Sequence, residues 1–412
     1  MQKEQLIKKI IDYYLNSGDF NGINNSMIDE SDKKTLISLI EDDCIFVISD
    51  KDVLNPHIYS FELNLSKKHQ IDNLVKWNNQ FCVYPTEKAL EKLEDDFASP
   101  YTALLKKGKP QFKIIYFDIE ILERYINNPK YTIVDYGYKG MICIKNEYWN
   151  EDSDSEYIKE YGMAYQNGTI FNRAVGVFLR DLSRLSPKIQ MLWKGFEHKE
   201  QQDYRISEGF IKNSVYGAWV TTHWIFDAVL EEMNIINLMC RQIGIPCLFI
   251  QTYSARYDEK PTGYTNILLP TLKNYDDFTM LIEKIIIHNI SIKTFMQDAM
   301  LIKAIDRKDE SGRNKGSLTM LKEWLDSNVG ASFDIDKVII KPLKKIRKDR
   351  QRPAHEIYDN EFDISVYAKQ KHLMRDVYFA LKGIRVLLMG HPLAKSVEIP
   401  EYLLEFKDIV FY

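Results

Sequence analysis

The chain has 412 residues, 45 % of them hydrophobic and 28 % charged, with 55 Lys and Arg against 59 Asp and Glu for a formal net charge of −4. That length suits two or three domains, and the composition is that of a globular protein. A slightly acidic balance excludes a general pull toward nucleic acid, so any RNA or DNA site has to be a local basic patch. The five cysteines, Cys44, Cys82, Cys143, Cys240 and Cys247, are scattered without a CxxC spacing. That argues against a zinc site or a disulfide framework and suits a reducing cytoplasm. No run approaches the roughly 18 uninterrupted apolar residues of a membrane span. The P-loop, GxGxxG, GxSxG and HExxH patterns are all missing. The expectation is a soluble cytoplasmic protein with no cofactor, no metal and no membrane partner.

Taken in order, residues 4–17 place Leu6, Ile10, Ile11 and Tyr14 at helical spacing, with charges between them that make the segment unlike a signal peptide. A second helix over about 31–40 carries Leu36, Ile37 and Ile40, and 44–48 reads as a strand. Helix, helix and strand predict a small module over 1–65. It reads either as a winged-helix-like DNA binder or as a packing subdomain. The mixed charges of Asp29, Glu30, Asp32, Lys33 and Lys34 favour packing.

Residues 66–272 read as an α+β regulatory or sensing region. The pattern over 70–128 is mostly helical, most clearly at 112–125. Strands are predicted at 131–134 and 141–145, and again at 162–166 and 174–179. The second pair is joined across Asn167 and Gly168, a signal for a type I′ turn. The acidic loop 150–156 between the pairs reads as solvated. A long helix over 214–241, with Trp219, Trp224, Phe226, Leu230, Met233 and Leu238, is apolar on more than one face and predicts burial. Gly244 and Pro246 end it, and 247–251 reads as a strand. The loop 253–265 mixes aromatics with Arg256 and Lys260, which suits base stacking or, preferably, a plain surface loop.

The segment 273–412 predicts a helical bundle with short connections. Its stripes are Phe278, Leu281, Ile282, Ile285 and Ile286, then Leu318, Leu321 and Leu325, and last Leu373, Val377, Leu381, Ile384 and Leu388. Before the last stripe comes a strongly basic helix that Pro342 can open. Leu343 and Ile346 mark its inward face, and Arg347 and Arg350 fall on that face at i+4 and i+7 from Leu343. A buried unpaired arginine is costly, so Arg350 needs a partner, and Asp349 or Glu356 would serve. Pro353 predicts the end of the helix at Arg352, with His355 just beyond.

Arg350, Gln351, Arg352, Pro353, Ala354 and His355 resemble the R-x4-6-H signature of the HEPN superfamily of small helical domains, found in many prokaryotic toxins and defence ribonucleases. Gln351 departs from the usual Asn, Asp or His after the arginine. The resemblance covers roughly 275–390. It implies a domain that dimerises so that two motifs face each other in a composite, metal-independent ribonuclease site. The stretches DFNG at 19–22, NPHI at 55–58, CVYP at 82–85 and VFLRDL at 177–182 resemble an uncharacterised bacterial protein family, which implies no activity.

The chemistry agrees with the motif. RNA carries its own nucleophile in the 2′-OH, so the protein has to supply a proton-transfer group near neutral pKa and a cation on the phosphate. Histidine and arginine suit those two tasks. The expected roles are Arg350 on the scissile phosphate and His355 on the proton. Lys344, Lys345, Arg347, Lys348 and Arg352, with Lys341, would hold the RNA backbone. The expected whole is a mainly helical α+β chain with a central antiparallel sheet and a C-terminal HEPN-like bundle. Its expected partners are RNA, a second copy and an activator or partner protein sensed by the N-terminal region. The alternative is a non-catalytic nucleic-acid-binding protein that uses the bundle to dimerise.

Overall fold

The computed structural model describes residues 2–410 apart from 76, 78, 79, 92–96, 152, 168–171, 221, 255–258, 329–332 and 356–358, and for 350–355 the backbone alone. It is a mixed α+β structure with antiparallel sheets, in two compact units. The first unit takes 1–133, 139–168 and 172–210, and the second takes 134–138, 169–171 and 211–412. The boundary positions 65/66 and 272/273 read from the sequence fall inside the first and second units respectively.

In the first unit, helices α1 (Lys3–Asn16), α2 (Lys33–Glu41) and α3 (Lys67–Val75) bury Leu6, Ile10, Leu36, Leu39, Ile40 and Leu74. They share a core with a three-stranded antiparallel sheet in the order β1 (Ile23–Asn24), β3 (Phe81–Pro85), β2 (Ile45–Ser49). The central strand β3 is buried along its whole length, so its apolar run needs no alternation.

The second sheet holds β4 (Ile114–Asp118), β5 (Tyr131–Asp135), β6 (Lys139–Ile144), β7 (Glu160–Gln166), β8 (Arg173–Phe178) and β9 (Tyr204–Ile206). Its order is β4-β8-β7-β6-β5, with β9 beside β7. The antiparallel strands expected near 131, 141, 162 and 174 are all present. The helix expected over 112–125 is not: its first half is β4, whose residues alternate half-buried and buried, and only Ile119–Leu122 and Glu123–Ile126 are helical. Two adjacent β-branched residues, Ile114 and Ile115, suit the pleat of an edge strand. The β7–β8 connection runs from Gln166 to Arg173, longer than a two-residue turn, and Gly168 lies outside the described residues. Gly162 stands opposite Gly176, and the Ile206 side chain fills the space over both. A Cβ would come 2.5 Å from Ile206 Cδ1 at Gly162 and 2.2 Å at Gly176.

In the second unit, helix α4 (Ile225–Ile243) starts later than the sequence suggested. Gly217 takes a φ of +62°, which a helix excludes, and Trp219 is 93 % exposed. His223 and Trp224 instead form a short strand, β10, parallel to β11 (Ile409–Val410). Gly244 ends α4 in the left-handed conformation that glycine tolerates. The strand expected at 247–251 is only a single bridge from Phe249 to Ile290. The Asn237 side chain stands in for a neighbouring strand, donating to Phe249 O at 2.8 Å and accepting from Phe249 N at 2.9 Å.

Four more helices follow: α5 (Leu272–Ile286), α6 (Ser317–Asn328), α7 (Lys341–His355) and α8 (Ser365–Met389). With α4 they enclose one core that runs from Trp224 to Leu403. The α5–α6 connection spans 287–316 and carries a 3-10 turn and a hairpin, so it is not the short link expected of a simple bundle. α4 lies along α8, and the two are joined by a buried bidentate pair. Arg385 Nε is 2.6 Å from Glu232 Oε2, and Arg385 Nη2 is 3.1 Å from both Glu232 Oε1 and Leu403 O. Among the described residues no helix is long and apolar enough to cross a membrane.

Candidate nucleic-acid interface

The basic segment is a helix, as its spacing predicts, but both ends differ. A π turn over Asp336–Ile340 leads into α7 without a break, and the Lys341 amide donates five residues back to Asp336 O. Pro342 therefore stands inside a helical run. Its ring would crowd a carbonyl in regular α geometry, and a widened turn relieves that crowding. At the other end the helix passes through Pro353 and reaches His355, where the sequence had ended it at Arg352. A proline in the last turn deprives the helix of one donor only, the one otherwise directed at the Asp349 carbonyl.

Around α7, Leu343 and Ile346 are buried as expected. Lys341, Lys344, Lys345 and Lys348 are exposed. Lys341 lies 3.5 Å from Asp336 and Lys345 lies 3.5 Å from Asp376 on α8. Lys344 and Lys348 have no carboxylate in ion-pair range among the described residues. Among the described side chains of the helix, these two lysines are the least committed cations.

Arg347 has a different setting. Its Nε lies 3.5 Å from Oε1 of Glu283 on α5, a carboxylate only 2 % exposed. His288 Nε2 approaches the same oxygen at 3.5 Å from the exposed end of that helix. A buried carboxylate thus holds a half-exposed guanidinium and an exposed imidazole on one side of the α5–α7 pair. Beyond it, Tyr275 on α5 is pushed up to about 12, mainly by burial and then by the charge of Asp349 on α7. Glu283 was not singled out in the sequence. The available signal was its place between Thr279 and Ile286, which share its face and are both buried.

The side chains of Arg350, Arg352 and His355 lie outside the described residues, as does Glu356; the backbone of the first three belongs to α7. The chain that follows is tied to the start of α5. Lys273 N donates to Asn360 Oδ1 at 3.1 Å, Leu272 N to Glu361 O at 3.0 Å, and Asp363 N to Pro270 O at 2.7 Å, with a bridge between Thr271 and Phe362. Tyr367 on α8 adds a hydrogen bond from its hydroxyl to Leu268 O.

Two other groups of motif residues are placed clearly. Lys260, expected in a surface loop, has a side chain only 8 % exposed, lies 2.7 Å from Asp227 and sits over the Trp224 ring at 5.0 Å. It is therefore turned inward and not offered to bases, while Arg256 lies outside the described residues. In the first unit, three of the four-residue stretches converge. The Tyr84 hydroxyl donates to Pro56 O at 2.8 Å, its ring closes over Gly22, and Cys82 Sγ lies 3.4 Å from His57 Nδ1. Burial pushes the Cys82 thiol up to about 11, so it stays protonated, and Asn55 Oδ1 accepts from His57 N to form the turn expected there.

No protein-family model matches the chain, and neither does a curated protein or a solved structure.

Proposed function

We propose that the protein is a metal-independent endoribonuclease effector of toxin or anti-phage defence type. In this reading the helices α5 to α8 form a HEPN-type domain, and two copies of the chain complete one composite site. Arg350 neutralises and orients the scissile phosphate, and His355 transfers the proton. Lys344, Lys345, Lys348 and Arg352 hold the RNA backbone. Arg347 stands beside them, steadied by Glu283.

What carries the reading is the edge of α7, a helix that buries Leu343 and Ile346 while exposing four lysines in a chain of net negative charge. Five positions along a continuous helix separate two Cα atoms by about 140° around the axis. Arg350 and His355 therefore do not share one face of α7, and a facing second copy supplies what a single helix does not. The first unit is then the part that senses a partner protein or activator.

The test is incubation of the purified full chain with mixed RNAs in EDTA, comparing wild type with Arg350→Ala and His355→Ala. Cleavage by wild type and loss in both variants is the expected result. Cleavage that survives in both variants removes these residues from the site. Tight RNA binding without cleavage replaces this reading with a non-catalytic RNA-binding protein that uses the helical domain to dimerise.

A further inference from the structure

The long α5–α6 connection contains a hairpin with an ordered tip. Lys308 bridges Asn314, and Asp309 N donates to Arg313 O at 2.9 Å. The Asp309 carboxylate closes the turn by accepting from Ser311 N, Ser311 Oγ and Arg313 N. At the base, Lys315 N donates to Arg307 O at 2.9 Å, so Arg307 and Lys315 are direct cross-strand neighbours. Their side chains leave the same face of the hairpin, and Lys308 leaves the other.

That face borders a cavity of about 430 Å³ lined by Met296, Ala304, Ile305, Asp306, Arg307 and Lys315. The volume lies within the roughly 300–1,000 Å³ of small-molecule sites. Two like charges directly opposite on paired strands repel each other. Glu323 on α6 neutralises Lys315. Arg307 has no carboxylate in ion-pair range among the described residues, and neither does Asp306 have a cation. The hollow is open and mostly polar: among the described residues it combines a planar, always-charged guanidinium without an ion-pair partner, a lysine fixed by a neighbour and an exposed carboxylate, with Met296 and Ile305 beside them. A guanidinium fork matches phosphate oxygens, a carboxylate accepts from hydroxyls, and Met296 and Ile305 offer a small apolar patch on which the edge of a ring can rest.

We propose that this cavity binds a phosphate-bearing ligand of the nucleotide class. Arg307 and Lys315 take the phosphate, Asp306 accepts from a sugar hydroxyl, and the ring lies against Met296 and Ile305. The ligand comes either as a free mononucleotide or as the 5′-phosphorylated end of an RNA. The site is separate in sequence from the basic edge of α7 and stands whether or not that helix cleaves RNA.

Titration calorimetry on the full chain tests it, with AMP, adenosine, inorganic phosphate, and a short RNA carrying either a 5′-phosphate or a 5′-hydroxyl as probes. One phosphorylated ligand is expected per chain, with adenosine and the 5′-hydroxyl RNA bound at least about 10-fold more weakly. Arg307→Ala lowers the affinity for the phosphorylated ligand about 10- to 100-fold, the effect of a hydrogen bond to a charged group. Lys308→Ala, on the other face of the hairpin, leaves it unchanged. Tighter binding of the 5′-phosphorylated RNA than of AMP assigns the source to an RNA end, and the reverse order assigns it to a free nucleotide. Failure of AMP and of the phosphorylated RNA to bind overturns the proposal. So does equal binding by wild type and Arg307→Ala.

Discussion

Replacing Lys344, Lys345 and Lys348 together by Ala tests whether RNA lies along the exposed edge of α7. None of the three is buried, so the fold should lose no more than about 0.5 kcal/mol. Each phosphate neutralised on a single strand contributes about 0.7 to the slope of log K against log salt. Lys344 and Lys348 are unpaired among the described residues and contribute fully, whereas Lys345 already lies 3.5 Å from Asp376 and contributes less. The triple variant should therefore lose about 1.5 to 2 from the slope. Between about 50 and about 200 mM salt, wild-type affinity should then fall roughly 10-fold further than that of the variant. Fluorescence anisotropy with a labelled single-stranded RNA measures both slopes. Equal slopes and equal affinities in the two proteins would place the RNA elsewhere and refute the reasoning.

The buried Glu232–Arg385 pair gives a second prediction: Glu232→Ala leaves a guanidinium 1 % exposed without its partner and should cost about 3–5 kcal/mol in denaturant unfolding. Joint replacement by Glu232→Leu and Arg385→Met should recover most of that loss, and an equal loss in the double variant would count against the pair as its cause. Gly176→Ala drives a methyl into Ile206 and should cost about 1–3 kcal/mol. Ile206→Ala in the same chain should relieve part of the strain, and simple additivity of the two would exclude it. Hydrogen bonds from Lys369 and then Ser365 hold the Asp363 carboxyl down at about 2. A depressed carboxylate stabilises above its unfolded pKa near 4 and ceases to as pH falls through the folded value. Protection of the Ser365 amide from exchange should therefore hold above about pH 4 and fade toward pH 2. Asp363→Asn should remove that dependence.

How much the sequence disclosed depends on the range of the forces involved. α1, α6 and α8 were legible because their apolar residues recur at three and four positions, a local signal that tertiary packing reinforces. Of the second sheet, β5 to β8 were legible as short runs on either side of turn residues, whereas β4 reads as helix in the sequence and β9 gives no signal there. The start of α4 was not, because the apolar residues before it serve a strand whose partner lies at Ile409–Val410. The apparent strand at 247–251 satisfies its backbone through the Asn237 side chain, which periodicity does not register. Arg347 could be placed on the inward face of the basic helix, but its partner came from another helix as Glu283, hidden in a stripe of isoleucines. The cavity beside Arg307 depends on a hairpin register that only the folded chain reveals.

The ties between Pro270–Lys273 and Asn360–Asp363 also bear on how the protein is made. They join residues far apart in the chain, and one side of the knot comes after the motif helix has been synthesised. A ribosome that has just completed α7 has therefore produced every lysine of the basic edge, but not the strap that fastens the loop after that helix to α5. The strap is thus made only after the motif has been synthesised. A messenger truncated between His355 and Asp363 would yield a chain with the whole motif but without the strap and without α8, which completes the core of the second unit.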